Sequence, residues 1–217
     1  FNLAANQNFL NAQLSLGIIY ANGKYVCRDI LRAIHYLKLA ANQNSSEAFF
    51  YLGIIYERGF HISSDMEKAI KYFTLSADDN NPHAQFFLGL LYFYGKYIPQ
   101  NINKAIHLFT LASNQNHAKA ESLLGLIYFK GQFVPRDINK GMNYLLKAAK
   151  HKNSYALFYL GYIYSNGIGV SRNINKAIYY YSLVTDECHS HAQFYLGSIF
   201  YEGLYVDFDI EKAIHHF

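Results

Sequence analysis

The 217-residue chain has no tryptophan, three prolines, two cysteines and no long uninterrupted apolar run. Each scarcity excludes something. So few prolines exclude a collagen-like or proline-rich chain, and two cysteines far apart, Cys27 and Cys188, exclude a small fold stapled by several disulfides. The longest apolar stretch, 86–93, is broken by Gly89 and falls far short of the ~20 residues that cross a bilayer. No basic region followed by an apolar stretch opens the chain, so no signal peptide is legible and no direct membrane insertion is expected. Charged residues make up only 16% of the chain, against 52% apolar and 18% aromatic, which is enough apolar surface to offset the ordering entropy of folding. Disorder is excluded on those numbers.

A net charge of +4 is too small to imply nucleic-acid binding, but its distribution is uneven. Residues 1–95 carry seven basic and seven acidic side chains, residues 96–176 eleven against two, and residues 177–217 one against six. The chain is electrically a neutral, a basic and an acidic block.

Its most informative property is self-similarity. A glycine follows a leucine at Gly17, Gly53, Gly89, Gly125, Gly161 and Gly197, always 36 residues apart. The same interval separates Gly23, Gly59, Gly95, Gly131, Gly167 and Gly203, and also Ala12, Ala48, Ala84, Ala120, Ala156 and Ala192. Tyr20, Tyr56, Tyr92, Tyr128 and Tyr164 recur likewise, with Phe200 sixth, and Ala33, Ala69, Ala105, Ala177 and Ala213 form a further column broken by Gly141.

Each unit reads as two helices. Ala48, Leu52, Ile55 and Tyr56 recur at the spacing of one helical face, and Gly59 follows as a C-cap able to take φ > 0. An aliphatic loop residue follows (Val26, Ile62, Ile98, Val134, Val170, Val206), then an N-capping Asp or Asn at 29, 65, 101, 137, 173 and 209. The second helix carries Met66, Ala69, Ile70, Phe73 and Ala77 on one side. Its end is marked by Asn8, Asn44, Asn80 and Asn116, where asparagine can turn left-handed; Lys152 and Cys188 break that column. First helices are expected near 10–22, 46–58, 82–94, 118–130, 154–166 and 190–202. A mid-helix glycine costs about 1 kcal/mol relative to alanine, so six of them predict a close neighbour, read here as the backbone of another helix. Neither helix can bury its apolar face alone, and successive pairs are expected to stack.

The run Ala48-Phe49-Phe50-Tyr51-Leu52-Gly53-Ile54-Ile55-Tyr56-Glu57-Arg58-Gly59 resembles the first helix of a Sel-one-like repeat, and Val134-Pro135-Arg136-Asp137-Ile138-Asn139-Lys140 resembles that family's linker and second-helix start. The resemblance covers the whole chain. It implies an all-α protein, a right-handed α-α superhelical solenoid of six 36-residue helix-turn-helix repeats related to tetratricopeptide repeats. It also implies an adaptor role, as in protein degradation, polysaccharide-synthase control or bacterial signalling. The family's usual glycine before the linker valine survives only at Gly169, and the per-repeat disulfide pairs of a cysteine-rich, β-lactam-binding branch are missing. The register places both ends inside repeats, so residues 1–217 are expected to be a single solenoid domain belonging to a longer array.

Function is therefore sought on a surface. Glu47, Tyr51, Ile54 and Arg58 fall on one stripe of the first helix, away from the Ala48–Leu52–Ile55 side; the matching stripe in tetratricopeptide solenoids lines the concave groove. Followed through the repeats, the stripe contains Tyr51, His83, Phe87, Tyr94, Lys119, Tyr155, Tyr159, Tyr162, His191 and Tyr195. Rigid rings with a polar handle suit capture of a protein or peptide segment. The same rings could equally pack between neighbouring repeats. Residues 96–176 point to an acidic partner or a solvated face; Lys104, Lys140 and Lys176 there belong to a repeat column and come with the scaffold.

No nucleic-acid module, phosphate loop or nucleophile elbow is legible, so no nucleic-acid partner, no enzymatic activity and no cofactor are expected. The cluster Cys188-His189-Ser190-His191 falls short of the four ligands of a structural zinc site. The competing functional class is a regulatory repeat segment of a larger enzyme or membrane complex; a hydrolase or ligand-binding activity of the cysteine-rich branch comes third. Partner identity and oligomeric state are not legible. Two cysteines without close sequence partners fit a cytosolic compartment.

Overall fold

The computed structural model describes residues 2–59, 63–184, 189–202 and 210–216. Every regular element among them is a helix. Helix α1 (Asn2–Asn6) precedes six pairs: α2 (Leu10–Asn22) with α3 (Ile30–Ala41), α4 (Ser46–Arg58) with α5 (Met66–Asp78), α6 (Pro82–Tyr94) with α7 (Ile102–Asn114), α8 (Ala118–Lys130) with α9 (Ile138–Lys150), α10 (Ser154–Asn166) with α11 (Ile174–Ser182), and α12 (His189–Glu202) with α13 (Ile210–His216). The first helices match the sequence expectation to within one residue. Helix α11 is shorter than α3, α5, α7 and α9: β-branched Val184 stands where other repeats carry alanine or serine, and such side chains prolong a helix poorly.

The predicted capping chemistry is present. Gly23, Gly59, Gly95, Gly131 and Gly167 have φ of 64–68° and close the first helices, each donating its N–H to a carbonyl four residues back. Asp29, Asp65, Asn101, Asp137 and Asn173 each accept a hydrogen bond from the amide three residues on. Their own amides donate to the carbonyls of Tyr20, Tyr56, Tyr92, Tyr128 and Tyr164, tying the two helices of each pair together. Asn8, Asn44, Asn80 and Asn116 have φ near 60°, and Lys152 adopts 55° without asparagine's local hydrogen bonding. Ile62, Cys188, Gly203, Val206 and Asp209 lie outside the described residues.

The glycine columns correct one expectation. A Cβ on Gly17, Gly53, Gly89, Gly125 or Gly161 would come within 2.6–2.7 Å of the side chain twenty residues on, namely Leu37, Phe73, Phe109, Leu145 or Tyr181. The mid-helix glycine therefore makes room chiefly for one large side chain of its own partner helix. Backbone approaches backbone elsewhere: a Cβ on Gly141 would lie 2.8 Å from the Phe129 nitrogen and 2.9 Å from the Gly125 oxygen. Ala33, Ala69, Ala105 and Ala177 of that column are completely buried.

A second column explains the scaffold lysines. Arg32, Lys68, Lys104, Lys140, Lys176 and Lys212 each sit over the ring twelve residues back, at 4.0–5.6 Å from its centroid. Four of these rings also stack on a tyrosine sixteen residues on, within 10° of parallel: Tyr20–Tyr36, Tyr56–Tyr72, Tyr128–Tyr144 and Tyr164–Tyr180. Part of the basic character is thus used inside each hairpin.

The helices group into two compact units, Phe1–Gln115 and Asn116–Phe217. In the first, Ala33, Leu37, Ala48, Leu52, Ala69 and Phe73 form one buried cluster. In the second, Leu145, Ala148, Leu160 and Ile163 form one cluster, and Ala177, Tyr181, Ala192 and Leu196 another.

A buried polar column accompanies these cores. Gln43 donates to the Gln13 carbonyl oxygen at 2.8 Å, and Gln115 does the same to Gln85 at 3.0 Å. In the fourth repeat these positions hold Glu121, which is 1% exposed, and His151 at 3.9 Å. Glu121 Oε2 has no hydrogen bond. Burial pushes its carboxyl above the usual range, against the opposing pull of His151 and Lys147.

Candidate partner-binding face

The ten stripe residues divide by environment. Tyr94 and Tyr155 are 69% and 48% exposed, and His83, Lys119 and His191 are exposed as well. Tyr51, Phe87, Tyr159, Tyr162 and Tyr195 are half-buried. The exposed rings lie at the surface, and among the half-buried ones Phe87, Tyr162 and Tyr195 also pack against rings of a neighbouring first helix.

Two residues that the sequence reading passed over organise the stripe. In the first unit, the Phe50 ring lies 5.6 Å from Tyr51, 5.6 Å from His83, 5.8 Å from Phe87 and 6.1 Å from Phe73. Phe87 stacks on Phe73 at 5.6 Å and 15°. In the second unit Phe158 occupies the equivalent place, 5.6 Å from Tyr159, 6.2 Å from His191, 5.8 Å from Tyr195 and 5.8 Å from Tyr181, and Tyr195 stacks on Tyr181 at 5.5 Å and 8°. Every member of one cluster stands 108 residues from its counterpart, three repeats away. The signal was available, because Phe50 and Phe158 precede the tyrosine column directly. A one-residue step on a helix turns the side chain off the stripe, and here it aims the ring at the next first helix.

The remaining stripe residues attach more loosely. Tyr162 meets the edge of Tyr195 at 6.1 Å, the Lys130 amine lies 5.5 Å from the Tyr159 ring centre, and Tyr94 stands edge-on to Phe93 at 5.3 Å. Both clusters rest on a fully buried ring, Phe73 at 1% and Tyr181 at 0% exposure. The Tyr181 hydroxyl makes no well-formed hydrogen bond. Burial holds its phenol well above the ordinary tyrosine range, against the smaller opposing pull of the Ser165 side chain. The arrangement offers aromatic edges, imidazoles and phenols beside each other on first helices.

The Cys188–His191 segment lies partly outside the described residues. Among those described, no group of three or more His, Cys, Asp and Glu side chains is placed to hold a metal, and no helix is long and apolar enough to cross a membrane.

Helix pairs repeated at 36 residues define a helical-repeat protein. The Sel1 repeat model matches residues 10–45, 46–81, 82–117, 118–153, 154–183 and 190–217, and the chain belongs to the Sel1 repeat family. The family commonly mediates protein–protein interaction, on a fold that is typically a non-enzymatic scaffold. No curated protein matches the chain.

Among solved structures, c5321, a protective antigen present in uropathogenic Escherichia coli strains and displaying an SLR fold, is 28% identical with a TM-score of 0.88. That likeness covers 98% of this chain and 46% of the other, so the chain spans under half the length of that protein. A Sel1 repeat protein from Oxalobacter formigenes is 29% identical over 96% of this chain and 85% of its own, with the same TM-score. Immunity protein Pa5087 from Pseudomonas aeruginosa, at 19% identity and a TM-score of 0.60 over 95% of this chain and 79% of its own, shares the fold.

Proposed function

We propose that the chain is an adaptor that captures segments of partner proteins on the exposed face of its first helices, through two equivalent aromatic–imidazole clusters. The observation that supports this most directly is the recurrence, 108 residues apart, of a half-buried tyrosine and an exposed histidine around a central phenylalanine (Tyr51, His83 and Phe50; Tyr159, His191 and Phe158). A core needs only the apolar members of these clusters. Phenol and imidazole at the rim add hydrogen-bonding groups beside a rigid apolar surface, the combination enriched at interface hot spots.

The test uses a random-peptide display library, selection on the intact chain, and titration calorimetry of the selected peptides. Against Tyr51→Ala/His83→Ala and Tyr159→Ala/His191→Ala, affinity should fall at least tenfold for each cluster a peptide uses, with the thermal midpoint nearly unchanged. Peptides that bind both variants as tightly as the parent, or a library that yields none, would overturn the reading.

A further inference from the structure

Away from the first helices, the second helices of the fourth and fifth repeats, α9 and α11, flank an open groove of about 720 Å³ in the second unit. Leu146, Ala149, Leu157 and Leu183 supply hydrocarbon, while Lys140, Lys147 and Lys150 bring positive charge. We propose that this groove docks an acidic peptide segment of a partner protein, placing aliphatic side chains on the hydrocarbon and carboxylates against Lys147 and Lys150.

The repeat itself supplies the strongest argument, since departures from it mark what the scaffold does not require. The position of Lys147 is leucine at Leu3, Leu39, Leu75, Leu111 and Leu183. Lys150 stands where other repeats have Asn42, Asp78, Asn114 and Asp186, and Lys152 where they have Asn8, Asn44, Asn80 and Asn116. Lys152 also keeps a left-handed backbone that disfavours lysine. Three lysines within six residues thus replace leucine and neutral or acidic side chains at one helix end.

Charge complementarity gives the partner its sign. Neither Lys147 nor Lys150 is paired with a carboxylate among the described residues. Glu121, the carboxyl that feels Lys147, is buried and pushed toward its neutral form. The next acidic residues in the chain, Asp186 and Glu187, lie outside the described residues. From residue 116 to residue 176 the sequence holds nine basic side chains and two acidic ones.

Ring geometry separates a peptide from a nucleic acid. Binding of bases relies on open aromatic faces. Here Tyr144 is stacked on Tyr128 and has the Lys147 amine 5.7 Å from its centre, and Tyr180 is stacked on Tyr164, which leaves Tyr179, edge-on to Tyr180 at 5.3 Å, as the exposed ring among the groove's three tyrosines. The hydrocarbon between the lysines is what an aliphatic side chain fills and a phosphate backbone does not.

The experiment is fluorescence anisotropy on the intact chain with three labelled probes: a decamer of glutamate and aspartate interspersed with leucine, its glutamine/asparagine analogue, and a single-stranded oligonucleotide of equal charge. The protein variant is Lys147→Leu/Lys150→Asn, which restores residues other repeats carry and should fold unchanged. The acidic decamer should bind, lose at least tenfold in affinity to the variant, weaken with added salt, and keep its affinity for Tyr159→Ala/His191→Ala, so that this groove and the first-helix face fail or succeed separately. Equal binding of decamer and neutral analogue, undiminished binding to the variant, or an oligonucleotide that binds more tightly than the decamer would overturn the proposal. So would concentration-dependent self-association that the double substitution abolishes, because the occupant would then be a second copy of the chain.

Discussion

The two aromatic clusters are copies of one arrangement, and they differ where it matters least to shape and most to polarity. Around Phe50 the buried ring and the ring stacked on it are Phe73 and Phe87; around Phe158 they are Tyr181 and Tyr195. Centroid distances among the phenylalanine and tyrosine rings agree to within about 0.3 Å although two hydroxyls have been added, whereas the histidine stands at 5.6 Å and 33° to Phe50 but 6.2 Å and 74° to Phe158. In both units a mid-helix glycine, Gly53 or Gly161, leaves the same space for the buried ring. Ring position is thus set by the room the glycine leaves for the ring, which the repeat preserves. Hydrogen bonding is not: the buried Tyr181 hydroxyl makes no well-formed hydrogen bond and has only the Ser165 side chain to offset its burial. A repeat protein can copy steric complementarity exchange by exchange, while each new polar atom has to find its own partner.

The comparison can be broken first by removing the rings. Phe73→Ala and Tyr181→Ala should each destabilise their unit by about 3–5 kcal/mol in denaturant unfolding, because a fully buried ring is lost over a glycine that cannot fill the space. The loss at Tyr181 should be the smaller by about 1 kcal/mol, since an unsatisfied hydroxyl goes with the ring. If Tyr181→Ala costs more than Phe73→Ala, the hydroxyl is contributing and the clusters are not energetic copies. A finer test exchanges polarity alone. Phe73→Tyr should cost about 1–3 kcal/mol by burying a hydroxyl in the all-phenylalanine cluster, read as a drop in denaturant midpoint at unchanged slope. The smallest change is the reverse one: Tyr181→Phe should leave stability unchanged or raise it by up to about 1 kcal/mol, and a clear loss would reveal a hydrogen bond to that oxygen.

Legibility followed the same division. Helix positions, the left-handed turns at Gly59 and Asn44, and the caps at Asp65 and Asn101 were readable because each depends on a few adjacent residues and recurs at a fixed interval. The site was half readable. Helical geometry alone puts Tyr51 and Tyr159 on the stripe, but not Phe50 and Phe158, on which the clusters turn, because their place is set by the neighbouring first helix. The pairing of Gln13 with Gln43 was invisible for a similar reason: thirty residues separate partners that meet only after two helices have packed. The cations at Lys68 and Lys140 could be counted as a column, yet their place over Tyr56 and Tyr128 depends on the second helix lying back along the first.

By itself the sequence determined the family, the helix boundaries and the turns, because local backbone preferences act within one or two helical turns and a sixfold repetition averages out their ambiguity. Tertiary structure alone decided which side of each glycine is filled, which stripe rings are surface and which are packing, and that Lys147 and Lys150 border an open hydrocarbon groove. Those outcomes depend on distances between residues twenty or more apart in the chain, and such distances exist only once the helices have packed.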